Sequence, residues 1–151
     1  MKKLCFVVSS PATARAFLKG PMQILAKKYA LYLIANTQDI AALKKELPLK
    51  AVHFQAIERG VNPIKDLRCL ISMWRFLRRE KFDALHSVSP KAGLMAMLGG
   101  YLARVPLRTH TFTGQVWANK KGVYRLILKS IDRLIARCAS HVLVDGKSQL
   151  N

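Results

Sequence analysis

Six short apolar runs, each closed by residues that break strands, alternate in this chain with stretches of helical periodicity. Leu4–Val8 runs into Ser9-Ser10-Pro11, Ala30–Ala35 into Asn36-Thr37, and Ala51–Ile57 into Glu58-Arg59-Gly60. Asp83–Val88 ends at Ser89-Pro90, Leu107–Phe112 at a polar loop from Thr113 to Gly122, and His141–Val144 at Asp145-Gly146. Such runs bounded by turn residues read as buried strands. Between them, Thr13–Lys28 reads as a helix with Phe17, Ile24, Leu25 and Lys28 near one face, loosened at Gly20-Pro21. Asp39–Glu46 reads as a short helix. Asn62 and Pro63 cap and start a longer one, on which Ile64, Leu67, Leu70, Ile71, Trp74 and Leu77 recur at helical spacing. Ser89-Pro90 starts a helix to Arg104 that is apolar nearly all round, the mark of a helix buried on several sides. Val123–Ala139 is the last helix. Strand–helix repetition of this kind predicts an α/β fold, a parallel sheet with helices on both faces. The 151 residues fit a single domain, 1–151, and the end just past a strand reads as an interrupted domain.

Charge narrows the partners. Twenty-six Lys and Arg against eight Asp and Glu give a net +18, a surface that attracts phosphates, lipid headgroups or nucleic acid. Cys5, Cys69 and Cys138 are odd in number and far apart, which reads as buried reduced thiols. His53, His86, His110 and His141 show no metal-ligand spacing, so no metal is expected. The apolar run after Met1-Lys2-Lys3 is too short for a signal peptide, and Gly93–Ala103 falls short of the ~20 residues that cross a bilayer.

In open parallel sheets, ligands bind beyond the carboxyl ends of the strands. Two such ends are chemically rich. In His86-Ser87-Val88-Ser89-Pro90-Lys91-Ala92-Gly93 a strand hands over to a helix whose first turn offers free N–H groups. Ser89 and Lys91 add a hydroxyl and an ammonium, and Gly93 permits close approach. This is a seat for a phosphate or for sugar hydroxyls, or equally an ordinary capped helix with His86 in the core. The second, Arg108-Thr109-His110-Thr111-Phe112-Thr113-Gly114-Gln115-Val116-Trp117, combines hydroxyls, an amide, an imidazole and an indole, as sugar sites do. No GxGxxG follows the first strand, and GxxxxGK[ST], paired carboxylates and a nucleophile elbow are missing.

The last helix carries Arg125, Lys129, Arg133 and Arg137 every four residues, preceded by Lys120-Lys121. Leu126, Ile127, Ile131, Leu134 and Ile135 supply its apolar side. A basic stripe beside aromatics suits an anionic membrane surface. A solvated helix face is the plainer alternative, and applies also to Arg75-Phe76-Leu77-Arg78-Arg79.

Taken in order, Leu85–Leu94, Arg104-Val105-Pro106, His110–Trp117 and Asp145 with Ser148-Gln149 resemble the family 4 glycosyltransferases of the GT-B fold, nearest the branch that builds bacterial capsular, O-antigen and other surface polysaccharides. The resemblance implies a Rossmann-like domain, the N-terminal half of a GT-B fold, holding a lipid-linked or saccharide acceptor. It implies a C-terminal donor domain, absent here, that binds a nucleotide sugar such as a UDP-sugar. It further implies retention of anomeric configuration, no metal or other cofactor, and a peripheral place on the cytoplasmic face of the plasma membrane. His86, Ser87, Ser89, Lys91, Gly93, His110, Thr111, Thr113, Gly114, Gln115 and Trp117 would then line the acceptor cleft, and the fragment alone would be inactive. Many members carry a histidine where this chain has Thr113, so the catalytic residue stays open among Thr113, Gln115 and His110. The rival is a basic α/β nucleic-acid- or membrane-binding module without catalysis. No nucleic-acid motif is recognisable, and no nucleic acid is expected.

Overall fold

Burial on both faces governs β1 (Lys3–Val7): Cys5 and Val7 point to one side, Phe6 and the following Val8 to the other, and all four are buried. The computed structural model describes residues 2–10, 12, 14–15, 18–37, 40–55, 57, 63–88, 90–112 and 121–144. Around β1 lie β2 (Ala30–Ala35), β3 (Ala51–Phe54), β4 (Ala84–Val88), β5 (Leu107–Phe112) and β6 (His141–Val144), all parallel, in the order β3-β2-β1-β4-β5-β6. The chain moves outward from β1 to β3, then returns to β4 on the other side of β1. That reversal makes the carboxyl ends of β1 and β4 the switch point of a Rossmann-like sheet.

Helices α1 (Lys19–Leu25) and α2 (Ile40–Glu46) cover one face. There Leu18, Met22, Leu43 and Leu47 pack on Phe6, Val8, Leu31, Leu33 and Val88. Helices α3 (Pro63–Glu80), α4 (Pro90–Leu102) and α5 (Val123–Cys138) cover the other, packed on Cys5, Val7, Ile34 and Leu85. As expected of its composition, α4 is buried on several sides, with Ala92, Met95, Ala96 and Met97 each at most 2% exposed. Gly100 lets it lie close to the sheet: a Cβ there would come within 2.5 Å of Leu85 Cδ1. No helix among the described residues is long and apolar enough to cross a membrane.

The strands β2, β5 and β6 have the expected bounds, and the helices differ in instructive ways. Among the described residues, Ala12, Ala14 and Arg15 are already helical, Leu18 is a turn, and α1 follows from Lys19, with Pro21 in its opening turn, where a missing N–H costs nothing. Its buried side is set by Ala14, Leu18 and Met22, whereas Ile24 is 70% exposed. On α3 the core takes Cys69, Met73 and Leu77, leaving Ile64, Leu67 and Ile71 in solvent. On α5 Ile135 and Cys138 are buried and Ile131 partly so, while Leu126, Ile127 and Leu134 are exposed. Periodicity located both stripes within a turn; the core buries only part of each. Strand β3 stops at Phe54; Gln55 still donates its backbone N–H to the Ala35 carbonyl (3.1 Å), while its side chain accepts from Ser72 Oγ (3.3 Å) and donates to Cys69 Sγ (3.6 Å).

Candidate functional site

The parallel register sets Ser87 opposite His110 and His86 opposite Thr109. Because side chains alternate along each strand, the chemistry of His86-Ser87 and His110-Thr111 is divided between the two faces. Ser87 and His110 point toward α4, are fully buried, and lie 2.7 Å apart, Oγ to Nδ1. His86 and Thr111 point to the opposite face, with Nε2 and Oγ1 2.8 Å apart. There His86 borders a hollow of about 160 Å³ lined also by Leu4, Phe6, Leu25 and Leu107.

Gly93 explains how α4 lies over His110. A Cβ at Gly93 would fall 2.2 Å from His110 Cε1 and 2.5 Å from Nδ1. Only a residue without one lets the first turn of α4 rest on the imidazole. Burial, reinforced by His86, lowers the His110 pKa to about 4, so the ring is neutral at pH 7. Burial lowers that of His86 as well.

Lys91, the second residue of α4, stands near a helix N-terminus, where the backbone dipole disfavours a cation. A carboxylate answers it: Lys91 Nζ lies 2.7 Å from Oδ1 of Asp66, in the first turn of α3. Both side chains are mostly buried, 14% and 21% exposed. The ion pair ties the two helix starts together and holds an ammonium beside the carboxyl end of β4. Asp66 is a residue the sequence reading passed over; an acidic group three positions after the helix-starting Pro63 was its only sign. Asn36, closing β2, was likewise not singled out, and its Nδ2 donates to the Ile57 carbonyl at 3.2 Å.

Arg108 is structural. Its Nε donates to the Cys138 carbonyl (2.5 Å) and Nη1 to that of Val105 (2.7 Å), fastening the ends of α4 and α5 to β5. The thiols of Cys5, Cys69 and Cys138 are buried, and burial raises the pKa of each. Among the described residues no three His, Cys, Asp or Glu side chains gather as metal ligands would. Lys121, Arg125, Arg133 and Arg137 are exposed along α5 and its approach, with Lys129 half-buried. Ser89, Thr113, Gly114, Gln115, Trp117 and Lys120 lie outside the described residues.

Gly93→Ala is expected to lower stability by about 1–3 kcal/mol, as overpacking does. Combined with His110→Ser it should cost much less than the sum of the two single changes, in urea unfolding of all four proteins. The histidine also gives a pH signature. Its folded-state pKa lies below its unfolded value of 6.5, so its contribution is complete above pH 6.5 and is lost as pH falls toward 4. Between pH 6.5 and 5 that slope removes about 2 kcal/mol. His110→Asn should flatten the wild-type decline over that interval.

Residues 33–149 match the family described as Glycosyl transferase 4-like domain. The chain is 29% identical over 96 residues to the UDP-Gal:alpha-D-GlcNAc-diphosphoundecaprenol alpha-1,3-galactosyltransferase of Escherichia coli, covering 63% of this chain and 25% of that protein. It is 23% identical over 131 residues to the capsular polysaccharide biosynthesis glycosyltransferase CapM of Staphylococcus aureus, covering 87% and 34%. The chain therefore spans about a quarter to a third of the length of these relatives. Its fold is similar to Acinetobacter baumannii MurG (TM-score 0.61, 17% identity, 95% of this chain and 41% of that one). It is similar also to the UDP-GlcNAc 2-epimerase of Methanocaldococcus jannaschii (TM-score 0.66, 16% identity, 97% and 40%). At such identities a likeness carries fold and not activity. The family match extends over most of the sequence, from β2 to beyond β6, and on that ground the chain belongs to the Glycosyl transferase 4-like domain family.

Proposed function

We propose that this chain is the acceptor-side domain of a glycosyltransferase that moves a sugar from a nucleotide sugar to a lipid-linked or saccharide acceptor in cell-surface polysaccharide assembly. The observation that carries the reading is the first turn of α4, which begins just past the carboxyl end of β4 and carries the Lys91 ammonium on one face of the sheet, with the His86–Thr111 pair on the opposite face of the same two strands. Free N–H groups at a helix start and a nearby cation suit a diphosphate, and hydroxyl and imidazole groups suit a sugar. The galactosyltransferase relative has a sugar-diphospholipid acceptor in its name, and the CapM relative is named for capsule synthesis. In this account Ser89, Thr113, Gly114, Gln115 and Trp117 complete the acceptor edge. Ser87, His110 and Gly93 act from beneath, by fixing where α4 begins. The UDP-sugar or other donor belongs to a second domain, transfer retains the anomeric configuration, and residues 1–151 alone do not transfer sugar.

The same reading sets α5 against the inner face of the plasma membrane. Arg125, Arg133 and Arg137 flank exposed Val123, Leu126, Ile127 and Leu134, so the solvent side of the helix is both basic and apolar. That combination favours an anionic bilayer interface over bulk water.

Titrating a water-soluble GlcNAc-diphosphate carrying a short lipid into isotope-labelled protein should move the amide resonances of Lys91, Ala92 and Thr111. Lys91→Gln should weaken binding about tenfold, the loss of one charge-assisted contact. Saturable binding of a UDP-sugar with no response to the acceptor, or sugar transfer by this chain alone, would contradict the proposal. For the membrane arm, Arg133→Gln with Arg137→Gln removes about 2 kcal/mol of surface attraction, some thirtyfold in partition onto anionic vesicles. Unchanged flotation would remove α5 from the account.

A further inference from the structure

On the other flank of the sheet, an open groove of about 460 Å³ runs between α3 and the edge strand β3. Arg68, Arg75 and Arg79 line it, with Ser72, Phe76 and His53. At ~100° per residue, positions 68, 75 and 79 fall within a helical arc of about 40°, and at ~1.5 Å per residue they extend over about 16 Å. The three guanidiniums thus rise in one file along one wall. His53, from β3, closes the other side, its ring stacked on Phe76 at 3.9 Å and 9°.

Among the described residues little neutralises this file. Among the described residues Arg68 and Arg75 have no ion-pair partner. Arg79 reaches only Glu80, at 3.6 Å, and Glu80 also serves Lys3 at 3.3 Å. Arg75 and Arg79, four residues apart, repel each other at a cost of some tenths of a kcal/mol. A helix that needed only solubility would alternate its charges. A concave wall with an aromatic side focuses positive potential and strengthens contacts to an anion. Arginine offers phosphate two parallel donors, and a file this long exceeds what a single phosphate can touch.

We propose that the α3–β3 groove is a binding site for a ligand carrying two or more phosphate charges, presented either by a soluble diphosphate or by the headgroups of anionic lipids. None of the groove's lining residues belongs to β4, β5, α4 or α5, so the site does not rest on the function proposed above.

Inorganic diphosphate is titrated calorimetrically into the full chain, into Arg68→Gln/Arg75→Gln, and into a charge-matched control, Lys44→Gln/Lys45→Gln, on α2 across the sheet. Wild type and control should bind alike, the arginine variant at least tenfold more weakly, and orthophosphate less well than diphosphate. The ring resonances of His53 should shift on binding to the wild type. In a second arm the three proteins are floated with vesicles of phosphatidylglycerol and phosphatidylcholine, or of phosphatidylcholine alone. Discrimination between the double variants by diphosphate assigns the site to a soluble ligand; discrimination by anionic vesicles alone assigns it to lipid headgroups. Equal behaviour of the two variants in both arms, or no binding of either probe, overturns the proposal. Should the arginine variant fail to fold, the wild-type titration decides, and a bound diphosphate that leaves His53 unmoved overturns it.

Discussion

The buried contact between Ser87 and His110 is where strand register, helix placement and candidate chemistry meet. A one-residue slip between β4 and β5 would exchange the two faces, sending Ser87 out of the core and bringing His86 in. With the register as it is, the His110 ring supports α4 at Gly93, and α4 in turn carries Lys91 to the carboxyl end of the sheet. Asp66 then fixes the ammonium against the start of α3. Under α4 Ser87 Oγ meets His110 Nδ1 and the imidazole is neutral at pH 7, so the helix start can rest on it without a buried charge.

Much of this was legible in the chain. The apolar runs closed by turn and loop residues mark six strands in a parallel α/β order, and the bounds of β2, β5 and β6 are those expected. The face each helix buries was less legible. Ile64, Leu67 and Ile71 have helical spacing as good as that of Cys69, Met73 and Leu77, and only tertiary packing decides between the two stripes. At the site, the residue types were visible but not their division between faces. His86 and Ser87 are neighbours in sequence and opposites in space, a consequence of strand geometry that motif reading passes over. The Lys91–Asp66 pair was hidden for another reason: it joins two helices 25 positions apart, and no local pattern marks it.

The exposed helix faces arrange the net charge of +18 in different ways. On α5 the cations alternate with exposed leucine and isoleucine, an arrangement suited to a broad interface. On α3 the arginines instead line a concave wall, an arrangement suited to a discrete anion. Lys91 is different again, drawn into an internal pair at the sheet end. Equal charges thus meet different surroundings through curvature, burial and neighbours.

The claim on which the account rests is that His110 is a neutral internal support held by Ser87. Nitrogen-15 spectra of the histidine rings, recorded on folded protein from pH 7.5 to 5, test it directly. The account requires the His110 ring to keep a single neutral tautomer throughout, and to change its Nδ1 shift in Ser87→Ala. A ring that titrates near pH 6.5, indifferent to Ser87, would contradict it.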